Sequence, residues 1–251
     1  MRGTDRDSIG FAMTKIIVYL IETLAIMTLV VTYSIASYER NFVWKTEGTL
    51  WSDTVHKSFG KARPHNQLGV ALIGEGQYDR AIAEIVQAVS INPNPMRCVA
   101  LGNAYREKGL LDLALAQYFK ALTLKPDFFD VYVNIGNIYV RKGLIDQAIA
   151  EYRKTITLQP VCVEAYINLA SAYGLEGLYN NAIYYLGKAL KLDPYNPDAH
   201  YNLGVTYNSL GLLEKSIAEY EEVLRVRPDD EQALNNLKLI KSRMLEQDKF
   251  R

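Results

Sequence analysis

Several features on which protein chemistry often depends are scarce in this 251-residue chain. It has only two cysteines, Cys98 and Cys162, and no Cys-X-X-Cys pair, so neither a zinc site nor a disulfide framework is expected. Acidic and basic residues balance at 28 each, so the chain lacks the positive field that attracts nucleic acid. We therefore predict no nucleic-acid partner.

Signs of catalysis are scarce as well. The three histidines, His56, His65 and His200, are scattered, and no nucleophile stands beside a candidate base. The glycines recur at a regular interval instead of clustering in a phosphate-binding loop. These observations predict a protein that is not an enzyme, with no cofactor, metal or catalytic residue.

The N-terminal part differs in composition from the remainder. Residues 16–36 read IIVYLIETLAIMTLVVTYSIA, a predominantly apolar run in which Glu22 is the one charged residue. About 20 such residues suffice for a helix to cross a bilayer. A carboxylate in mid-span costs roughly 2.5–3.5 kcal/mol, which the surrounding Ile, Leu and Val can offset. We predict a single-pass membrane helix at 16–36, preceded by a polar segment at 1–15.

Two alternatives to a membrane anchor stay open. Ser34 and Ala36 are small residues at the spacing that signal peptidase favours, so the run could be a cleaved signal peptide. It could also be an amphipathic helix buried against the rest of the chain. For an anchor, the excess of basic residues before the span predicts an inner N-terminus, which puts the rest of the chain on the outer (periplasmic or extracytoplasmic) side. The basic residues compared are Arg2, Arg6 and Lys15 before the span, and Arg40 and Lys45 after it.

From residue 62 onward the sequence repeats at an interval of 33 or 34 residues. One series is formed by Gly76, Gly109, Gly143, Gly177 and Gly211, and another by Pro93, Pro126, Pro160, Pro194 and Pro228. The glycine is typical of a left-handed helix C-cap, and the proline cannot continue a second helix. Each unit also has an acidic or amide residue three positions after the glycine, where it suits the start of that second helix. We therefore predict that each unit forms two helices.

These landmarks resemble the tetratricopeptide repeat (TPR) family. Five copies are predicted at 62–94, 95–128, 129–162, 163–196 and 197–230. A capping helix is expected at 231–251, and a junction at 37–61 contains a half-repeat helix over Glu47–Lys57. The resemblance implies an all-α fold, a right-handed TPR solenoid preceded by one transmembrane helix. It also implies that the recurring tyrosines pack between helices, where their hydroxyl groups need partners.

An asparagine returns at the same place of the first helix in successive units. This series is Asn134, Asn168, Asn202 and Asn236, and neighbouring polar residues on the same helix stripe are Asn137, Arg141 and Ser171. We expect the stripe to lie away from the second helix, on the wall of the concave groove. The series resembles the asparagine ladder of the TPR region of O-GlcNAc transferase, which implies binding to the main chain of an extended peptide. Ala100 and Gln67 interrupt the series, so the peptide site is expected in the C-terminal repeats. Alternatively, the asparagines only satisfy backbone groups of the next repeat.

The junction before the repeats carries a second resemblance. It is similar to the junction in membrane O-mannosyltransferase-like proteins that have TPR tails. The matching residues are Arg40, Asn41, Trp44, Leu50 and Trp51. The leading functional prediction is thus a membrane-anchored TPR scaffold that binds a partner protein or peptide in its groove. The alternative is an accessory subunit, or a shortened relative, of a membrane glycosyltransferase.

Overall fold

The structure is a computed structural model that describes residues 4–43 and 46–249, with side chains described for 19–38 and 46–245. Arg2, Trp44 and Lys45 lie outside the described residues, as do the side chains of Arg6, Lys15, Arg40 and Asn41. The described part forms thirteen α-helices and contains no strand. They are α1 Thr4–Val43, α2 Glu47–Lys57, α3 Ala62–Gly74, α4 Tyr78–Ile91, α5 Pro95–Glu107, α6 Leu111–Leu124, α7 Phe129–Arg141, α8 Ile145–Leu158, α9 Val163–Leu175, α10 Tyr179–Leu192, α11 Pro197–Ser209, α12 Leu213–Val226 and α13 Glu231–Lys249.

Helix α1 is much longer than the span expected at 16–36. No glycine or proline interrupts the chain over 11–43, so nothing ends the helix at Ala36. Its segment Tyr19–Tyr38 has a mean hydropathy of 1.7 and is long and apolar enough to cross a membrane. Every side chain of that segment is exposed, which is at odds with the alternative of a helix buried against the repeats.

The chain divides into two compact units, Met1–Asn92 and Pro93–Arg251. In the first unit, α2 packs on the helix pair α3–α4 through a small apolar cluster. Val55 of α2 meets Leu68 and Leu72 of α3 there, and Trp51 covers the cluster. Helix α2 begins with a reciprocal cap, in which Thr46 and Thr49 each accept a hydrogen bond from the backbone N–H of the other.

The second unit stacks four helix pairs and ends with α13. Each first helix packs on its own second helix, and each second helix packs on the first helix of the next pair. Small alanines at the crossings are fully buried, which lets the helices approach closely. Helix α13 closes the stack by burying Ala233 and Ile240 against Tyr220 and Val223 of α12.

The recurring glycine and the acidic residue after it have different roles in the turn. All five glycines of the series have positive φ, from +72° to +84°, so this turn requires a left-handed residue. The acidic residue lies in the first turn of the second helix but does not cap it. In α6, for example, the N-cap is Leu110, which makes no side-chain cap bond, while Asp112 pairs with Lys142. The carboxylate therefore acts through its charge near the helix N-terminus.

Candidate peptide-binding site

The first helices of consecutive repeats in the second unit lie side by side. Helix α9 contacts both α7 and α11, so equivalent positions on these helices form a row. We call Asn134, Asn168, Asn202 and Asn236 the ladder positions. All four side chains are partly buried, and each has a different set of hydrogen-bond partners.

In the third repeat a tyrosine of the second helix reaches the row. The Tyr152 ring lies over Gly136, where an added Cβ would be 2.5 Å from ring atom Cε1. Its hydroxyl donates a 2.6 Å hydrogen bond to Asn137 Oδ1. Burial, and secondarily the Glu164 carboxylate, raises the pKa of Tyr152, so the phenol stays a proton donor. We call this set of glycine, asparagine and tyrosine a tyrosine lock.

The second repeat contains the same lock. Gly102 accommodates the ring of Tyr118 at the same close approach, and Tyr118 donates a 2.6 Å hydrogen bond to Asn103 Oδ1. Burial raises the pKa of Tyr118 to about 12. The lock explains where the hydroxyl groups of these core tyrosines find their partners.

Asn137 departs from the expected geometry. We expected its stripe to lie away from the second helix, but Asn137 accepts a hydrogen bond from Tyr152 of that helix. A tyrosine is long enough to pass over a glycine and reach the far edge of the first helix. Asn137 Oδ1 also accepts a 3.4 Å hydrogen bond from Asn168 Nδ2 of the next repeat. Asn137 is therefore engaged inside the protein.

Arginines occupy the row at its N-terminal end. Arg106 of α5 donates a 3.0 Å hydrogen bond from Nη1 to Asn134 Oδ1. Arg141 is exposed and donates a 3.4 Å hydrogen bond to the Arg106 carbonyl. The structure thus brings Asn134 and Arg141 together, as the sequence pattern indicated, but around Arg106.

At the other end of the row, Asn236 is tied to hydroxyl groups. Its Nδ2 donates to Tyr201 Oη at 3.2 Å and to Tyr220 Oη at 3.3 Å. Both tyrosines belong to the repeat that α13 covers. Asn236 therefore joins the capping helix to its neighbour through tyrosine hydroxyl groups, which is a structural role, although not through the backbone groups that the sequence-based alternative named.

Asn168 and Asn202 are the ladder positions that line a cavity. This cavity, which we call the amide cavity, has a volume of about 600 Å³ between α9 and α11. Asn196 and the carboxylates of Glu164 and Asp198 add polar groups to its wall. Its apolar wall consists of Val163, Ile167 and Tyr201. The amide cavity therefore offers amide groups beside a partly apolar surface.

The fourth repeat lacks the tyrosine lock. Ala170, Ser171 and Leu186 stand where the third repeat has Gly136, Asn137 and Tyr152. All three residues line a second cavity of about 170 Å³, together with Asn202 of α11. We call it the side cavity. Asn202 lines both cavities, and Ser171 is exposed at the side cavity.

The departure of the fourth repeat is visible in the sequence, although its meaning is not. The tyrosine series Tyr118, Tyr152 and Tyr220 skips one repeat at Leu186, and the glycine series has an alanine at Ala170. Each change looks conservative when taken singly. Their common consequence, a cavity beside Asn202, requires the packed helices to be seen together.

Two of the three histidines make hydrogen bonds that tie the helices together, whereas His56 is exposed. His65 Nδ1 lies 2.7 Å from Glu84 Oε2, and Nε2 lies 2.9 Å from the Phe59 carbonyl. His200 repeats the arrangement with Glu219 and the Pro194 carbonyl. Within the residues that the structure describes, no group of three His, Cys, Asp or Glu side chains could hold a metal ion.

Comparisons with known sequences and structures place the chain among repeat proteins. Sequence models described as TPR repeat or tetratricopeptide repeat match residues 62–95, 102–143, 136–177 and 175–238. Together these matches run through nearly the whole repeat region.

Two relatives are named as O-mannosyl-transferases. The chain is 25% identical over 114 residues to "Protein O-mannosyl-transferase TMTC3" of Homo sapiens, which covers 45% of this chain. It is 28% identical over 103 residues to "Protein O-mannosyl-transferase Tmtc3" of Drosophila melanogaster, covering 41% of this chain. The matched regions span only 12% and 11% of those two proteins.

Solved structures share the fold at low sequence identity. YrrB, described as a TPR protein with an unusual peptide-binding site, superposes with a TM-score of 0.56 at 22% identity, covering 75% of this chain and 97% of YrrB. PilF of Pseudomonas aeruginosa gives 0.64 at 18% identity, covering 74% and 86%. These similarities, with the helix pairs described above, confirm the predicted all-α TPR solenoid. The chain belongs to the tetratricopeptide repeat family.

Proposed function

We propose that this protein is a scaffold that captures an extended segment of a partner protein across helices α9 and α11. In the proposed complex, Asn168 and Asn202 hold main-chain amides of the bound segment. The observation that carries the proposal is the hydrogen bonding of the Asn202 side chain. Its Nδ2 donates at 2.9 Å to the Asp198 carbonyl of its own helix, and among the described residues it has no hydrogen bond to another helix.

The chemistry of the cavity suits a main chain. A carboxamide has two donors and an acceptor, so it can pair with a peptide group of any sequence. Neighbouring packed helices are about 8–10 Å apart, and an extended chain advances about 3.3 Å per residue. About three residues of the ligand would therefore separate the groups that meet Asn168 and Asn202. YrrB, which shares the fold, is itself described as having a peptide-binding site.

The acidic residues of the amide cavity restrict the charge of the segment that can bind there. Glu164 and Asp198 line the amide cavity, and Asp198 is paired with Arg227 at 2.7 Å. A carboxylate on the bound segment would be repelled by Glu164. We therefore expect neutral or basic segments to be preferred over acidic ones.

The test uses the full chain in detergent and a phage library of random peptides of about a dozen residues. We expect wild-type protein to enrich a peptide set, and synthetic copies of those peptides to bind at least about tenfold more weakly to the double variant Asn168→Ala/Asn202→Ala, because two hydrogen-bonding groups are lost. The matched control is Asn180→Ala/Asn181→Ala, which removes two exposed asparagines from α10. Unchanged affinity in the first variant, or equal loss in both, would reject this site.

We also propose that α1 anchors the protein in a membrane. Besides its apolar composition, its threonines satisfy their hydroxyl groups within the helix, as a span requires. Thr23, Thr28 and Thr32 each donate to a carbonyl four residues earlier at 2.9 Å. Alkaline carbonate should leave the full chain in the membrane pellet and should release a chain that lacks residues 1–43. Release of both would exclude an anchor.

The side of the membrane is a separate part of the proposal. More basic residues precede the apolar segment than follow it closely, which supports placing the repeats on the outer side. In sealed inside-out vesicles, the outer face of the membrane lines the lumen. Protease added to the medium should then leave the repeats intact until detergent is added. Digestion without detergent would reverse the orientation.

A second candidate function is an accessory role to a membrane glycosyltransferase. It is supported by the two relatives named as O-mannosyl-transferases, although the chain matches only about an eighth of their length. Purification of the full chain from native membrane in mild detergent tests it. A stoichiometric multi-span transferase in the purified complex is expected, and isolation of the chain alone would argue against this role.

A further inference from the structure

We infer that the side cavity is a specificity subsite that receives one bulky apolar side chain of the bound segment. The inference rests on the proposed function, because the segment that fills the side cavity is the one held by Asn202. The occupant is thus an extended peptide with a leucine-, methionine- or phenylalanine-sized residue at one fixed position.

The cavity exists because of residues particular to the fourth repeat. In the third repeat, the Tyr152 side chain reaches past Gly136 to Asn137, and Asn168 of the next helix bonds to the same oxygen. The equivalent residues one repeat later, Ala170, Ser171 and Leu186 of the fourth repeat and Asn202 of the following helix, all line the side cavity. Leu186 is fully buried but is shorter than a tyrosine, so it leaves the outer part of that space open.

The lining favours an apolar occupant. Thr206 donates its hydroxyl to the Asn202 carbonyl at 2.7 Å, and Ser209 donates to the Val205 carbonyl at 3.0 Å. These two hydroxyl donors are therefore occupied inside α11, and the other polar side chains of the lining, Ser171, Tyr179 and Asn202, carry no charge. A charged side chain in the cavity would lose its water without gaining a partner of opposite charge.

The rim of the side cavity is apolar and open to solvent. Leu175 is 62% exposed and Val205 is 40% exposed, and both line the cavity. Apolar side chains in these positions would lose contact with water when a ligand residue enters. This burial supplies the driving force that the amide contacts alone lack.

Size and position agree with a single side chain. The cavity of about 170 Å³ is close to the roughly 150 Å³ cavity that accepts a benzene molecule in an engineered protein core. Because Asn202 lines both cavities, a residue next to the amide held by Asn202 lies at the mouth of the side cavity. The main-chain contacts would provide general affinity, and the side cavity would choose among sequences.

The experiment converts the fourth repeat into a locked one. The variant Ala170→Gly/Ser171→Asn/Leu186→Tyr installs the residues of the second and third repeats, so the fold already contains this arrangement. Wild-type full chain in detergent should enrich library peptides with a bulky apolar residue at one position, and the locked variant should enrich peptides without that preference. Replacing that residue by Ala in a synthetic peptide should weaken wild-type binding roughly tenfold to hundredfold, and binding to the locked variant by less than about twofold.

A second variant protects the test against misfolding. Ser171→Leu places an apolar side chain at the mouth of the side cavity from an exposed position, and leaves the core unchanged. It should remove the apolar preference as the locked variant does. Retention of that preference in both variants, or enrichment by wild-type of peptides with no apolar position, overturns the subsite while the amide site stands. A library that yields no binder overturns both the subsite and the proposed function.

Discussion

The third and fourth repeats share one backbone arrangement. They differ in the side chain that the second helix packs against the first helix. In the third repeat, the Tyr152 ring lies over Gly136 and its hydroxyl engages Asn137. In the fourth repeat, the shorter Leu186 side chain does not fill the equivalent space, and a cavity lies beside Asn202. The comparison teaches that the space beside a ladder asparagine depends on a residue of the opposite helix, because a tyrosine there fills the space that a leucine leaves open.

The differences between these repeats are coupled by packing. A Cβ at Gly136 would lie 2.5 Å from the tyrosine ring, so an alanine there would force the ring to shift. Ala170 is therefore compatible with Leu186, which is shorter than a tyrosine, and no phenol of the opposite helix is present there to donate to an asparagine at position 171. The predictions below break or sharpen this comparison.

The largest expected effect comes from removing the ring of the third repeat alone. Tyr152→Leu should lower the free energy of unfolding by about 3 kcal/mol, because it leaves a cavity over Gly136 and takes the hydroxyl donor from Asn137. Urea denaturation measures this. Adding Gly136→Ala and Asn137→Ser, which completes the fourth-repeat set, should recover about half of the loss. Strict additivity of the three changes would show that the sets are not coupled.

A smaller effect is expected from crowding the lock. Gly136→Ala should cost about 2 kcal/mol, since the buried Tyr152 ring must move. The reverse change in the fourth repeat, Ala170→Gly, should cost only about 1 kcal/mol, from helix propensity and a slightly larger cavity. Chemical denaturation of both variants gives the comparison. Equal costs would mean that the glycine is not required by the ring.

The asparagines of the two repeats should differ in the same sense. Asn137→Ala removes the acceptor of the buried Tyr152 hydroxyl and should cost about 1–2 kcal/mol. Asn202→Ala breaks only a bond to its own helix and should cost less than about 0.5 kcal/mol. Thermal unfolding of the two variants measures the difference. A larger cost for Asn202 would make it a structural residue and weaken its assignment to a ligand.

The smallest effect at neutral pH comes from the tyrosine ionisations. Burial raises the pKa of Tyr118 and Tyr220 to about 12, from 10.0 in water. The folded state thus holds these protons more tightly, so their contribution is complete below pH 10 and is lost as pH rises from 10 through about 12. Tyrosinate absorbance should show several late-titrating groups, and Tyr118→Phe should remove one of them. Stability that declines between pH 7 and 9 would contradict this account.

Much of the fold was predictable because its signals are local. A glycine that must take positive φ and a proline that stops a helix mark the repeat boundaries in the sequence. The bounds of α1 were less predictable, because hydropathy marks the apolar stretch while the helix continues through polar residues to Val43. The ladder positions were found by their spacing, but their bonding states were not.

The chain by itself determined that it would form stacked helix pairs and that amide side chains would line up on the first helices, since both follow from periodic residue placement along the backbone. Only the tertiary structure decided which of those amides is available. Asn137 is hydrogen-bonded to one tyrosine hydroxyl and Asn236 to two. Asn202, by contrast, lines a space that Leu186 leaves unfilled. The reason is that hydrogen-bond partners and cavities arise between helices, from side-chain lengths that meet only when the repeats are packed.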